Sequence, residues 1–262
     1  MPDTLPREEL IRKAEHRDVM ARLIDLAEVA LRDWSVVVSD FYAPPEVGEA
    51  LAIFERLVEL HAVAWGGYPQ AERQRIALAR ESIAVEADQI PVAAIDIRGN
   101  FLFDAASHRD FLGALLGTGI VRAKVGDILV LGDRGAQALV VPELVPFLEM
   151  QLKSVRTVSV QVVPVDRSEL RVRPPQTKEI TSVEASLRID ALGSAGFGLS
   201  RNKMVEAIEA GDVTLNWKTV TQPSKNVQTG DRIALRGRGR LEIGEVEPTK
   251  KGRFRVQMLR YQ

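Results

Sequence analysis

Leu187-Arg-Ile-Asp190, Leu199-Ser-Arg-Asn-Lys-Met-Val-Glu-Ala-Ile208, Gly211-Asp-Val-Thr-Leu-Asn216 and Gly230-Asp-Arg-Ile-Ala-Leu-Arg-Gly-Arg-Gly-Arg240 follow one another in the last third of the chain, and together they decide its fold. Ser200 is a good helix N-cap, and Met204, Val205 and Ile208 give the helix after it one apolar face. Gly211 ends that helix. Arg201 and Lys203 fall in its first turn, where basic side chains oppose the helix macrodipole and cost stability. A phosphate held there would be attracted to the side chains and to the helix end alike, which would explain the cost. Further on, Asn216-Trp217 marks a hairpin, Gly230-Asp231 a turn, and Arg236, Arg238 and Arg240 are expected on a glycine-spaced strand. Glycines between the arginines would let a sugar-phosphate backbone come close. An exposed basic edge strand that merely prevents aggregation is the other reading.

Working outward, the charge is uneven. The 262 residues hold 35 Lys+Arg and 36 Asp+Glu, a net of −1, yet Lys178 to Gln262 holds 15 basic against 10 acidic side chains. A basic module attached to an acidic body suits a polyanionic partner, although such an excess also occurs in proteins that touch none. Hydrophobic residues at 45% and charged ones at 27% exclude wholesale disorder. The absence of cysteine excludes disulfides, thiolate metal sites and cysteine nucleophiles. Three separated histidines, at 16, 61 and 108, supply a metal site poorly, so neither metal nor cofactor is expected. The longest run without a charged side chain, Leu60–Ala71, is twelve residues, well short of the roughly 20 that a membrane span needs. The acidic start Met1–Leu10 lacks a signal-peptide core, and a cytoplasmic location is expected.

Upstream of Arg171-Val-Arg-Pro-Pro-Gln176, whose paired prolines suggest a linker, two further segments are predicted. Residues 1–81 are expected to be mostly helical. Met20, Leu23, Ile24, Ala27, Ala30 and Leu31 form one stripe, and Pro44-Pro45 opens a second helix that buries Val47, Leu51, Phe54, Leu57 and Val58. Ala62–Trp65 then forms a short strand ending at Gly66-Gly67, and Gln70–Arg80 a third helix. Arg73, Arg75 and Arg80 on that helix could meet phosphate, but Glu72 and Glu81 favour an ordinary solvated face. Residues 82–170 change period. Strands at Val92–Ile97, Asp127–Leu131, Ala136–Val141 and Thr157–Val163 alternate with helices at Asp110–Leu116 and Glu143–Leu152. The order β-α-β-β-α-β is the split pattern of ferredoxin-like and RNA-recognition-motif folds. Val92–Ile97 and Ala136–Val141 lack the aromatic residues on which such motifs usually stack bases, so any RNA contact by this segment would work differently. The whole is an α+β chain: a helical N-terminal region, a ferredoxin-like middle and a basic module over 178–262.

Motifs of catalysis are hard to find. His108-Arg-Asp110 imitates a kinase catalytic loop, but position 115 is Leu where Asn is required. Ser107 and Asp110 more plainly start a helix, with His108 and Arg109 left to reach a neighbouring domain or RNA. Gly193-Ser-Ala-Gly196-Phe-Gly198 lies between two helices rather than after a strand, and Asp104 suits a turn. A non-enzyme is expected.

The stretch from Leu187 to roughly Arg240 resembles an S4 domain, a small RNA-binding module. Upstream, Gly66-Gly-Tyr-Pro-Gln-Ala-Glu-Arg-Gln-Arg75, Ser107-His-Arg-Asp-Phe-Leu-Gly-Ala-Leu-Leu-Gly-Thr-Gly-Ile120 and Gly126-Asp-Ile-Leu129 resemble signatures of the YlmH-like S4 proteins. In detail the likeness is to the cyanobacterial and plastid branch labelled photosystem II S4 domain protein. The resemblance implies binding to structured RNA (ribosomal RNA, and transfer RNA in members linked to rescue of stalled translation) on the large ribosomal subunit, with no DNA partner. It assigns the contact surface to Ser200, Arg201, Lys203, Lys218, Lys225, Arg236, Arg238 and Arg240, with Arg188 either packing or contacting RNA from the preceding helix. Asn216 either sets the hairpin turn, the favoured role, or touches RNA. Trp217, where S4 hairpins more often have glycine, caps the apolar side of the hairpin or offers a stacking surface. An RNA-modifying enzyme with an unrecognised site and a photosystem-assembly interaction factor are the competing classes.

Overall fold

The computed structural model describes residues 5–172 and 177–261, and the chain divides into two compact units, 1–172 and 173–262. Residues 173–176 of the expected linker lie outside the described residues. No helix among the described residues is long and apolar enough to cross a membrane.

The first unit opens with α1 (Arg7–Lys13), α2 (Arg17–Asp33), β1 (Val37–Tyr42), α3 (Pro44–Phe54), β2 (Leu60–Trp65) and β3 (Gln74–Arg80). The apolar stripe of α2 is buried as its spacing requires, from Met20 to Leu31, against Val47, Ala50 and Phe54 of α3 and Ile76 and Leu78 of β3. Each large side chain so buried contributes about 1.5–3 kcal/mol. The expected third helix is instead β3, the central strand of a sheet ordered β1-β3-β2. Ile76-Ala-Leu-Ala79 is a continuous apolar run buried on both faces, and a run that short suits a strand as well as a helix. Tertiary burial decided between them, and the segment before residue 82 is a helix-and-sheet layer.

The chain continues through β4 (Ala93–Arg98), α4 (His108–Gly117), β5 (Val125–Val130), β6 (Gly135–Val140), α5 (Val145–Gln151), the small hairpin β7 (Ser154–Val155) and β8 (Val158–Ser159), and β9 (Gln161–Val165). The four long strands are ordered β5-β6-β4-β9 and every pairing is antiparallel, the ferredoxin-like arrangement. The single strand expected at Thr157–Val163 is split between the hairpin and β9. Helix α4 starts as read: the Ser107 N–H and Oγ both donate to Asp110, at 2.8 and 2.7 Å. Asp104 holds the hairpin, accepting from Arg156 Nε at 2.8 Å and Thr157 Oγ1 at 2.5 Å.

A small cluster of Phe41, Val92, Ala94 and Leu139, with Trp65 and Tyr68 against it, joins the two layers of this unit. Here the Gly66–Arg75 signature finds its physical role. The Asp127 carboxylate accepts from Tyr68 Oη at 2.7 Å and from the Glu72 and Arg73 N–H groups at 2.7 and 2.9 Å. Arg73 donates to the carbonyls of Val125 and Phe41, and Arg75 to those of Ser39 and Pro91. The expected solvated face is therefore wrong. Arg75 is buried, and Arg80 donates to Leu31 O and stacks over Trp34 at 4.0 Å. Gly126 is needed because a Cβ there would lie 2.7 Å from the Phe41 ring.

The second unit comprises β10 (Thr177–Glu184), α6 (Ile189–Phe197), α7 (Arg201–Glu209), β11 (Val213–Leu215), β12 (Lys218–Thr219), β13 (Arg232–Leu235), β14 (Gly239–Pro248) and β15 (Phe254–Tyr261). Its six-stranded sheet is ordered β10-β15-β14-β13-β11-β12. Ile189, Leu192, Phe197, Met204 and Ile208 of the helices pack with Ile233, Leu241, Ile243 and Met258 of the sheet. Leu241 presses so close to α6 that a Cβ on Gly196 would meet its Cδ1 at 2.2 Å.

Candidate nucleic-acid interface

The helix that carries the basic first turn is α7, capped as its sequence requires: Ser200 Oγ accepts from the Lys203 N–H at 3.3 Å. Lys203 projects from an exposed position, and Arg201 is half-exposed. Arg188 stands at the N-cap of α6, outside the helix proper. One residue organises both arginines, and sequence reasoning passed over it. Asp190 is only 2% exposed, and its carboxylate accepts from Arg188 Nη2 at 2.8 Å and Nε at 3.1 Å, and from Arg201 Nη2 at 3.1 Å and Nε at 3.3 Å. Burial pushes this carboxyl up, but the hydrogen bonds and charges of Arg188 and Arg201 outweigh it and hold it below the ordinary aspartate value. Two guanidiniums on one buried carboxylate keep a positive surplus, and both stay partly open to solvent. They are aimed cations, with their side-chain entropy already spent on folding. The signal was present in Arg188-Ile-Asp190, an acid two residues from one arginine and eleven from the other.

Lys225 is brought to the same end. Ile189 N–H donates to Lys225 O at 2.8 Å, and Arg188 bridges to Asn226 in antiparallel fashion. Arg188, Arg201, Lys203 and Lys225 thus cluster about the starts of the two helices.

The remaining expected contacts lie on the sheet side. Asn216 sets the hairpin, as favoured. Its Nδ2 donates to Asp231 at 2.8 Å, its Oδ1 accepts from the Arg232 N–H at 2.9 Å, and its φ of 49° is left-handed. Lys218 follows two residues later, at the start of β12. Arg236, Arg238 and Arg240 are not on one strand. Leu235 pairs with Gly239, so Arg236-Gly-Arg238 is a three-residue hairpin loop with Gly237 at φ 75°, and only Arg240 lies in β14. Turn chemistry prevails because the same glycines that would open a strand to a ligand also supply the left-handed backbone of a tight loop. Arg236 is 86% exposed and 3.7 Å from Asp212, while Arg240 lies over the Tyr261 ring at 4.6 Å. Among the described residues no group of three or more His, Asp or Glu side chains is placed to hold a metal ion.

Chemically, the second unit offers oriented guanidiniums, an ammonium beside a capped helix start and a basic loop, a set suited to phosphate oxygens. Comparison with known proteins agrees. The family described as "YlmH, N-terminal" matches residues 15–83, that described as "Putative RNA-binding domain in YlmH" matches 86–169, and the S4 domain matches 187–233. The ribosome-associated protein quality control protein P2 of Bacillus subtilis (strain 168) is 29% identical over 245 residues, covering 93% of this chain and 95% of its own. A solved structure described as cell division protein ylmH from Streptococcus pneumoniae shares the fold with a TM-score of 0.53 at 18% identity, over 61% of this chain and 95% of its own. The two YlmH domains and the S4 domain are thus present in that order, and the chain is homologous along nearly its whole length to a YlmH-type ribosome-associated protein of Bacillus subtilis.

Proposed function

We propose that this protein binds structured RNA without catalysing a reaction on it, docking its S4 module on ribosomal and transfer RNA at the large ribosomal subunit during rescue of stalled translation. The observation that carries the reading is the pair Arg188 and Arg201, held on the buried carboxylate of Asp190 beside Lys203 and Lys225. Prearranged guanidiniums lose little entropy when they take a phosphate, and a surface that reads backbone and shape suits folded RNA. The near full-length likeness to a Bacillus protein named for ribosome-associated quality control supports the ribosomal setting. The segments 1–81, 82–170 and 178–262 are proposed as the functional divisions, the last of them the anchor, in a cytoplasmic protein.

Sedimentation of the tagged protein through a sucrose gradient of native lysate tests this, beside a folded Arg201→Ala/Lys203→Ala variant. Wild type is expected with the large subunit and the variant at the top; equal sedimentation of the two would move the anchor elsewhere. If about five phosphates are engaged, log affinity for ribosomal RNA should fall with log salt at a slope of roughly −3 to −5. A slope near zero is incompatible with the proposed surface.

A further inference from the structure

Helices α6 and α7 cover one face of the second unit's sheet. The other face carries a continuous line of aromatic and guanidinium groups, of which only Arg240 is among the contacts that the S4 resemblance implies. It begins at the β11–β12 turn, where Trp217 is 46% exposed and Arg232 lies over its ring at 5.4 Å. Arg232 is paired across the strands with Glu242 and reaches its carboxylate at 3.7 Å. Glu242 accepts from Tyr261 Oη at 3.1 Å, and Tyr261, directly opposite Arg240 in the β14–β15 register, carries the Arg240 guanidinium over its ring at 4.6 Å. Trp217, Arg232, Glu242, Tyr261 and Arg240 therefore run as one chain of contacts from the hairpin turn to β15, with two cations to one anion.

Trp217 is costly where it stands. The loop joining β11 to β12 has two residues, both with left-handed backbone, Asn216 at φ 49° and Trp217 at φ 65°. Asparagine tolerates that region and glycine prefers the second position, whereas a bulky side chain is strained there. The fold gains little cover from the ring, which stays about half in solvent. Strain retained at an exposed aromatic residue is a mark of function.

We propose that this sheet face, from Trp217 through Arg232 to Tyr261 and Arg240, is a stacking platform for unpaired bases of the RNA whose folded part the α6–α7 surface holds. Aromatic rings and guanidinium planes accept any base by its π-face, and the two arginines give the platform the charge that a phosphodiester strand requires. The inference rests on the RNA-binding reading and adds to it a second site of different chemistry, for single-stranded nucleotides.

The test uses the full chain and two short probes, an oligoadenylate RNA and an abasic oligomer of the same length. Wild type should prefer the base-bearing strand, and Trp217→Gly should bind it about tenfold more weakly while binding the abasic strand unchanged. Trp217→Gly places the residue that the turn prefers, so its thermal midpoint should not fall. Trp217→Phe should keep most of the preference, and Tyr261→Leu should reduce it from the other end of the line. Equal affinity of wild type and Trp217→Gly for oligoadenylate would overturn the platform and leave Trp217–Arg232 as a cross-strand brace. Wild-type indifference between the two probes would do the same. The Arg201→Ala/Lys203→Ala variant separates the two readings. If it loses structured RNA while Trp217→Gly loses nothing, the platform fails and the helix-start surface stands. If Trp217→Gly alone loses oligoadenylate and the double variant keeps structured RNA, the platform stands and the helix-start reading fails.

Discussion

The two units use arginine in opposite ways. In the first, Arg73 and Arg75 turn inward and each satisfies two backbone carbonyls from separate elements, with burial lowering the pKa of both guanidiniums. In the second, Arg188 and Arg201 share a buried carboxylate but leave their outer edges in water, and Arg236 extends from a loop. The inward set replaces hydrogen bonds that a bulged strand and a domain seam would otherwise lack. The outward set is prepared for a partner. Arginine content alone therefore says little about nucleic acid; what the guanidinium already touches says more.

The contrast can be broken by substitution. Arg75→Ala should be the most damaging, costing about 3–4 kcal/mol, because it leaves the Ser39 and Pro91 carbonyls unpaired and opens a cavity. Urea unfolding would measure it, and a change below 1 kcal/mol would remove Arg75 from the supports of the first unit. Asp190→Asn should cost about 2–3 kcal/mol, less than the loss of a fully buried ion-pair partner because both arginines can turn to water. Its acid response sharpens the point. The folded pKa of Asp190 is depressed, so the stability it contributes is present above the unfolded value near 4 and is lost as pH falls through the folded value. The Asn variant should lack that part of the acid slope.

Tyr68→Phe tests the seam at about 1 kcal/mol. Burial first, and then the Asp127 charge, raise the Tyr68 phenol well above its usual range. Its contribution is therefore complete below about pH 10 and disappears as pH rises toward the folded value, so the Phe variant should lose less stability at alkaline pH. The smallest effect on folding belongs to Arg236→Ala with Arg238→Ala, within about 0.5 kcal/mol for such exposed side chains. Salt titration of RNA binding should instead lose about one unit of slope for each phosphate contact removed. A double variant that destabilises the fold yet binds normally would reverse the distinction drawn between the units.

Legibility in the sequence followed the range of the interactions. Ser200, Gly211 and Asn216 could be read because a cap, a stop and a two-residue turn are made locally: Ser200 caps Lys203, and Asn216 takes its left-handed backbone within the loop closed by Leu215 and Lys218. The β-α-β-β-α-β order followed from alternation and length. Strand β3 was misread because its defining partners are distant: Arg75 finds Ser39 36 residues away and Pro91 16 away, and an arginine beside an apolar run suggests a surface helix until those carbonyls are in place. The same distance hid Asp127 as the acceptor for Tyr68, 59 residues back. Arg236–Arg240 failed for a different reason, since glycine-spaced arginines serve a strand and a tight loop equally well until the Leu235–Gly239 pairing is known.

The Asp127 clamp and the Phe41–Leu139 cluster carry a consequence for how the first unit comes apart. Family matches divide it in sequence between residues 83 and 86. No corresponding weak line runs through its contacts: the loop before β3 is bonded to β5, and Phe41 of β1 sits against Gly126 and Leu139. Amides of β3 and β6 should therefore exchange with solvent in a single cooperative opening, so that two inherited modules behave as one melting body.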